Sequence, residues 1–310
     1  MTAKTLDAAK FQDPLVTATG GRRAWVSLQA LRTLWFNTGS LCNVSCPHCY
    51  MESSPSNHRL APLTLDDLVP FLDEIARDRL PVSEIGFTGG EPFANRDLPD
   101  LLRECLARGF RVLVLTNGFG PFPKRREPLL ALPDRDRLTL RVSLDHYQRD
   151  RHEAERGPES FAPALDTLDW LTSHGVPTHV AGRTRGDESE LGLREGYARL
   201  FAARALAIDA FDPVQLVLFP EMDAHADVPE ITEACWSLLG KSPDGVMCAS
   251  ARMVVKRQGA ASACVVACTL LPYDFRFEVG TTLAEAARPV SLTHPHCARF
   301  CVLGGARCSA

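Results

Sequence analysis

A chain of 310 residues that is 45% hydrophobic and 23% charged suits one large or two modest globular domains with a substantial core. A formal charge of −4 and a pI near 6.1 give no electrostatic reason to expect nucleic acid or an anionic membrane as partner. No apolar run is long enough to span a bilayer and the first residues lack the apolar stretch of a signal peptide, so a cytoplasmic location is expected. In that compartment 11 cysteines point to metal or redox chemistry, and an odd count fits poorly with complete disulfide pairing.

Residues 1–31 read as a leader of mixed helical and loop character that carries no chemistry. Apolar runs that stop at polar or glycine residues then predict six strands: Leu34 to Asn37, Glu84 to Thr88, Arg111 to Asn117, Leu138 to Asp145, Pro177 to Arg183 and Val214 to Phe219. Helix-period segments separate most of them. Thr64 is a cap for a helix through Leu65, Leu68, Leu72 and Ile75, and Gly109 is the stop for another from Leu98 to Leu106. A third carries Leu165, Leu168 and Leu171 and closes at Gly175, and a fourth carries Tyr197, Leu200 and Phe201. Strands alternating with helices predict an α/β fold with a parallel sheet and right-handed crossovers, with its chemistry at the C-terminal strand ends.

Between the first two strands lie Cys42, Cys46 and Cys49, spaced four and three residues apart. Gly39, Ser40 and Pro47 discourage a helix there, which predicts a loop. Three thiolates on a cubane [4Fe–4S] cluster leave one iron open, whereas the usual all-cysteine site supplies four. A zinc site with His48 as a further ligand is the alternative, but it prefers paired Cys-x2-4-Cys/His units that the surroundings lack. After the second strand comes Thr88-Gly89-Gly90-Glu91-Pro92, whose glycines let backbone approach a ligand and whose carboxylate can accept from an ammonium. Ser143 and Asp145, two apart on a strand, share a face suited to sugar hydroxyls, and Arg156 can pair with a carboxylate. Asn117 ends the third strand beside them, while Arg183, His146, Tyr147 and Glu221 read as ordinary polar residues of a barrel mouth.

The Cys-x3-Cys-x2-Cys run and the Gly-Gly-Glu-Pro turn resemble the signature of the radical S-adenosylmethionine (SAM) superfamily. The resemblance implies a partial (β/α)6 barrel over 32–220 and a [4Fe–4S] cluster on Cys42, Cys46 and Cys49, with SAM chelating the open iron. It further implies that Glu91 with its glycines holds the methionyl amino group, that His48 packs by the adenine with Tyr50 alongside, and that Ser143, Asp145 and Arg156 serve the ribose and carboxylate. The implied chemistry is one-electron cleavage of SAM to a 5′-deoxyadenosyl radical that takes hydrogen from a substrate, with flavodoxin or ferredoxin as electron donor.

At the other end, Cys248 is followed by ten residues, Gly259, four residues and Cys264, which resembles the opening of the SPASM and Twitch extensions and their auxiliary iron–sulfur clusters. This implies a small cysteine-rich α+β extension over 221–310. The closing Cys297-x3-Cys301-x6-Cys308 departs from the full SPASM pattern, so one auxiliary [4Fe–4S] cluster is expected rather than two. Its expected ligands are Cys248, Cys264 and two of Cys297, Cys301 and Cys308, with Cys268 in reserve; Cys105 and Cys235 read as core. The short leader favours oxidation or epimerisation of a sugar-like or amino-acid-like small molecule. A peptide-modifying maturase is the second reading, and a non-catalytic iron–sulfur electron carrier is a remote third.

Overall fold

A computed structural model describes residues 5–306 apart from 222 and 224; Cys308 lies outside the described residues. After a two-residue strand β1 (Trp25–Val26) come β2 (Thr33–Asn37), α1 (Leu65–Asp78), β3 (Glu84–Thr88), α2 (Leu98–Ala107), β4 (Arg111–Thr116) and α3 (Arg126–Leu130). The chain continues through β5 (Leu138–Ser143), α4 (Arg149–Arg156), α5 (Phe161–Ser173), β6 (Thr178–Thr184), α6 (Glu190–Ala203) and β7 (Leu216–Pro220). Strands β2 to β7 pair in chain order and all in parallel, the open arrangement expected of a partial barrel.

Parallel strands covered on both faces need apolar residues at nearly every position, and β2 is buried along its whole length. Its outward Phe36 packs edge-on against Phe71 of α1 at 6.2 Å and stacks on Phe87 at 5.9 Å. On the other face Trp35 lies over Gly86, where a Cβ would come within 2.3 Å of the indole, so the neighbouring strand has to present a glycine. Helix α1 starts where its sequence says it should: the Thr64 N–H donates to Asp67 Oδ2 at 3.2 Å, closing the cap.

The segment after β7 contains α7 (Cys235–Leu239), β8 (Ala251–Val255), β9 (Cys264–Val266), β10 (Glu278–Gly280) and β11 (Val290–Ser291), then a wide helical turn over Cys297–Leu303. β8 joins the free edge of β2 as a seventh parallel strand, β9 pairs antiparallel with β8, and β10 antiparallel with β9. The sheet therefore runs without a break from the barrel into residues that the sequence reading set apart as an extension. Helix α1 anchors this addition: Lys256 Nζ donates to Asp67 Oδ1 at 2.6 Å, and Glu74 accepts from the Leu283 and Ala284 N–H groups at 2.9 and 3.0 Å. Among the described residues no helix is long and apolar enough to cross a membrane.

Candidate active site

Beyond β2 the chain runs from Thr38 to Leu63 without a helix, carrying Cys42, Cys46 and Cys49 as free thiols. Backbone pairing holds this loop against the end of β3. Thr38 N–H donates to Thr88 O at 2.8 Å, Gly90 N–H to Gly39 O at 2.9 Å and Glu91 N–H to Leu41 O at 3.0 Å. The approach is so close that a Cβ on Gly90 would lie 2.0 Å from the Leu41 carbonyl oxygen, and one on Gly89 (φ +144°) would lie 2.6 Å from Gly39 O. The two glycines are thus required by the cysteine loop itself.

A cavity opens at these strand ends. The three loop cysteines, Tyr50, Thr88, Gly89 and Gly90 line one side of it. Asn117, Ser143, Asp145 and Arg156, from the ends of β4, β5 and α4, line the other. Asn117 links the two sides, its Nδ2 donating to Asn43 Oδ1 at 2.8 Å and standing 3.8 Å from Cys42 Sγ. Burial pushes the Cys42 thiol up to about 12, and it raises the Cys46 thiol too, against the pull of Arg156. Such thiols lose their protons readily only to a metal, which fits a cluster site.

Two of the expected SAM contacts stand behind the cavity wall. Glu91 does not line the cavity; its Oε1 accepts from the Phe93 N–H at 3.1 Å and Thr116 Oγ1 at 2.7 Å, and Oε2 from the Asn117 N–H at 2.8 Å. It is buried beneath the turn it supports, and burial raises its pKa to about 7. His48 likewise lies off the cavity lining, its Nδ1 3.1 Å from Glu155 Oε2 and 3.9 Å from Glu221 Oε1.

Asp145 and Arg156 pair with each other, at 2.8 Å (Nε to Oδ2) and 3.2 Å (Nη2 to Oδ1). Burial favours the neutral form of Asp145, but Arg156 and then Arg183 outweigh it and hold the carboxyl well below the usual range. Arg183, which the sequence reading passed over, lines the cavity; it reaches Asp145 at 3.6 Å, donates to His48 O at 2.9 Å and stands 4.6 Å from the Tyr50 ring centroid. Its position ending a parallel strand was the available signal. His146 and Tyr147 face Glu188 instead.

A second, smaller cavity lies in the C-terminal segment, where Cys248, Cys268, Cys297 and Cys301 converge with His296 at its wall. Four thiols in an otherwise largely apolar pocket match the donor set of a [4Fe–4S] cluster. Cys264 is absent from it: β9 turns its side chain toward Glu278 and Arg257, and burial pushes its thiol up to about 11. Cys268, past the end of β9, takes the place expected for Cys264. Cys105 is core, whereas Cys235 is only partly buried and contacts Thr232 Oγ1 at 3.4 Å.

A family model described as Radical SAM superfamily matches residues 36–188. These residues form a radical SAM domain. The chain is 30% identical over 168 residues to the antilisterial bacteriocin subtilosin biosynthesis protein AlbA of Bacillus subtilis, covering 54% of this chain and 35% of that protein. It is 30% identical over 154 residues to the PqqA peptide cyclase of Methylocella silvestris, covering 45% and 36%. The matched stretch is thus about a third of each relative's length. Streptococcus suis SuiB bound to S-adenosylmethionine shares the fold, with a TM-score of 0.59 at 11% identity over 81% of this chain and 63% of that one. SuiB has also been crystallised with its precursor peptide SuiA, a structure that matches with a TM-score of 0.51 at 14% identity over 64% of this chain and 41% of that one. Radical SAM domains use a [4Fe–4S] cluster and SAM, and the cysteine-rich C-terminal segment fits an auxiliary cluster.

Proposed function

We propose that this protein is a radical SAM enzyme that modifies a peptide. The observation that carries the chemistry is the convergence of Cys42, Cys46 and Cys49 with Gly89, Gly90, Asn117, Ser143 and Asp145 around one cavity at the strand ends. The peptide substrate is supported by the relatives: AlbA serves bacteriocin biosynthesis, the PqqA cyclase acts on a peptide, and SuiB binds a precursor peptide. They weigh for the maturase reading over the small-molecule reading that the short leader favoured.

Cys42, Cys46 and Cys49 are the residues to hold the SAM-side cluster, and Cys248, Cys268, Cys297 and Cys301 the auxiliary one. When bound, cluster and SAM supply a 5′-deoxyadenosyl radical that takes hydrogen from substrate. The chain's own residues position and insulate. The Gly89-Gly90 backbone and Ser143 on the cavity wall would hold SAM, and the Asp145–Arg156–Arg183 cluster fixes charge at that wall. Glu91 keeps the Asn117 turn in place beneath them. Residues 32–220 carry this site and 221–310 the auxiliary one. An external one-electron donor of the flavodoxin or ferredoxin type completes the system.

The test is anaerobic reconstitution with SAM and dithionite, alone and with each short peptide that the neighbouring genes are found to encode. Expected are 5′-deoxyadenosine above a Cys46→Ala control and a changed peptide mass. An unchanged peptide alongside continued SAM cleavage sinks the substrate assignment; absent cleavage from a protein with its iron intact sinks the chemistry.

A further inference from the structure

Arg252 on β8 is sealed from solvent at 1% exposure. Main-chain carbonyls take up its guanidinium: Nε donates to Ala286 O at 2.9 Å, Nη1 to Cys248 O at 2.5 Å and Ala251 O at 2.8 Å, and Nη2 to Arg288 O at 3.2 Å. Among the described residues it forms no ion pair with a carboxylate, although Arg23, equally buried, sits 2.5 Å from Glu230. Carbonyl dipoles satisfy the donors and leave the net charge. A buried charge without a counter-charge is strongly disfavoured, so its retention calls for a partner.

The geometry points to that partner. Arg252 is bonded to the backbone of Cys248, and the side chains of Cys248 and Cys268 stand near enough for thiolates there to act on its charge. Both line the four-cysteine cavity. We propose that Arg252 is the built-in counter-charge of an anionic iron–sulfur cluster held by Cys248, Cys268, Cys297 and Cys301, and that it holds the cluster's reduction potential up. The inference rests on the auxiliary-cluster reading above. Four thiolates around a doubly positive core carry a net charge of about −2, and one added electron makes it about −3. A fixed positive charge alongside favours the more negative state, so the electron is accepted more readily. A carbonyl clamp that merely staples residues 286–288 onto β8 would need the donors of Arg252 but not its charge.

Charge and donors separate in two variants made on the full chain with Cys42, Cys46 and Cys49 all replaced by alanine, so that only the C-terminal site can load. Arg252→Lys keeps the charge without the fork; Arg252→Gln loses the charge. Iron per chain is measured after reconstitution, and the cluster is titrated with dithionite and mediators under electron paramagnetic resonance. The expected result is a midpoint in Arg252→Gln lowered by at least a tenfold change in the reduction equilibrium, about 59 mV for one electron, with Arg252→Lys staying near the parent. Equal midpoints in Gln and parent, or equal shifts in Gln and Lys, overturn the inference while leaving the cluster in place. A parent that retains no iron overturns the auxiliary-cluster reading itself. Folding is followed by circular dichroism, and Arg252→Met replaces Gln in the same comparison if Gln does not fold.

Discussion

Gly90→Ala tests whether the glycine pair serves the cysteine loop. The added carbon would lie 2.0 Å from Leu41 O, 2.3 Å from Leu41 C and 2.8 Å from Cys42 N. All three are backbone atoms, so no side chain can rotate away, and the loop must retreat by about 1 Å to restore a tolerable 3.0 Å contact. Retreat breaks the Gly90–Gly39 and Glu91–Leu41 bonds of 2.9 and 3.0 Å. Those bonds are worth roughly 1 kcal/mol each and overpacking costs about 1–3 kcal/mol, giving a total on the order of 3–5 kcal/mol. If the loop gives way while the barrel stays folded, even 3 kcal/mol weakens SAM binding on the order of 100-fold. Equilibrium dialysis of SAM against reconstituted protein, with iron determined separately, reads the effect. Gly175→Ala is the control: its φ is +66° but no atom lies within 4 Å, so it should cost about 1 kcal/mol of stability and leave SAM affinity unchanged. SAM affinity in Gly90→Ala equal to wild type would refute the close-approach argument.

Asp145→Asn strands Arg156 and Arg183 as buried charges, which should cost about 3–5 kcal/mol in urea unfolding. Glu91 holds its proton more tightly folded than unfolded, with a pKa of about 7 against 4.5. Its stabilising effect is therefore complete below about pH 4.5 and is lost by pH 7, a fall on the order of 3 kcal/mol in the metal-free protein that Glu91→Gln should abolish. In the background lacking the three loop cysteines, Cys268→Ala should lose the remaining iron and Cys264→Ala should keep it; iron analysis that finds the reverse restores the sequence-based ligand set. Phe300→Ala removes a ring stacked on Phe219 at 5.5 Å and should cost about 3–5 kcal/mol, read as a fall in the thermal midpoint.

The barrel was legible because a parallel strand buried on both faces is a nearly continuous apolar run, and each of the six runs ended within a few residues of the strand found. The cysteine loop and the glycine turn were legible because their chemistry lies in local spacing. What the sequence hid was pairing across distance. The run Ala251–Val255, broken by Arg252, gives no sign that its neighbour is β2, more than 200 residues earlier, so the sheet's continuation into the C-terminal segment is not legible in the sequence. The Cys-x10-Gly-x4-Cys spacing favours Cys264 over Cys268, and only the direction in which β9 presents Cys264 reverses that order. A carboxylate after two glycines suits an ammonium; that Glu91 also accepts from the Thr116 and Asn117 donors becomes visible only when β3 and β4 lie side by side.

The two cysteine sites are also mechanically joined. Tyr50, directly after Cys49, meets Phe300, which lies between Cys297 and Cys301, at 5.8 Å; both meet Phe219 at the end of β7, at 6.1 and 5.5 Å. The Tyr50 hydroxyl donates to Pro220 O at 2.6 Å, fixing the ring against the same strand end. β7 is the edge of the sheet, so an open barrel would leave this strand end and its aromatic face to water. The C-terminal turn supplies Phe300 there, and in doing so ties the backbone of the auxiliary cavity to the loop of the SAM-side cysteines. The Cys297–Leu303 turn and the residue after Cys49 are therefore in contact through three packed rings, so a change in the packing of one bears directly on the other.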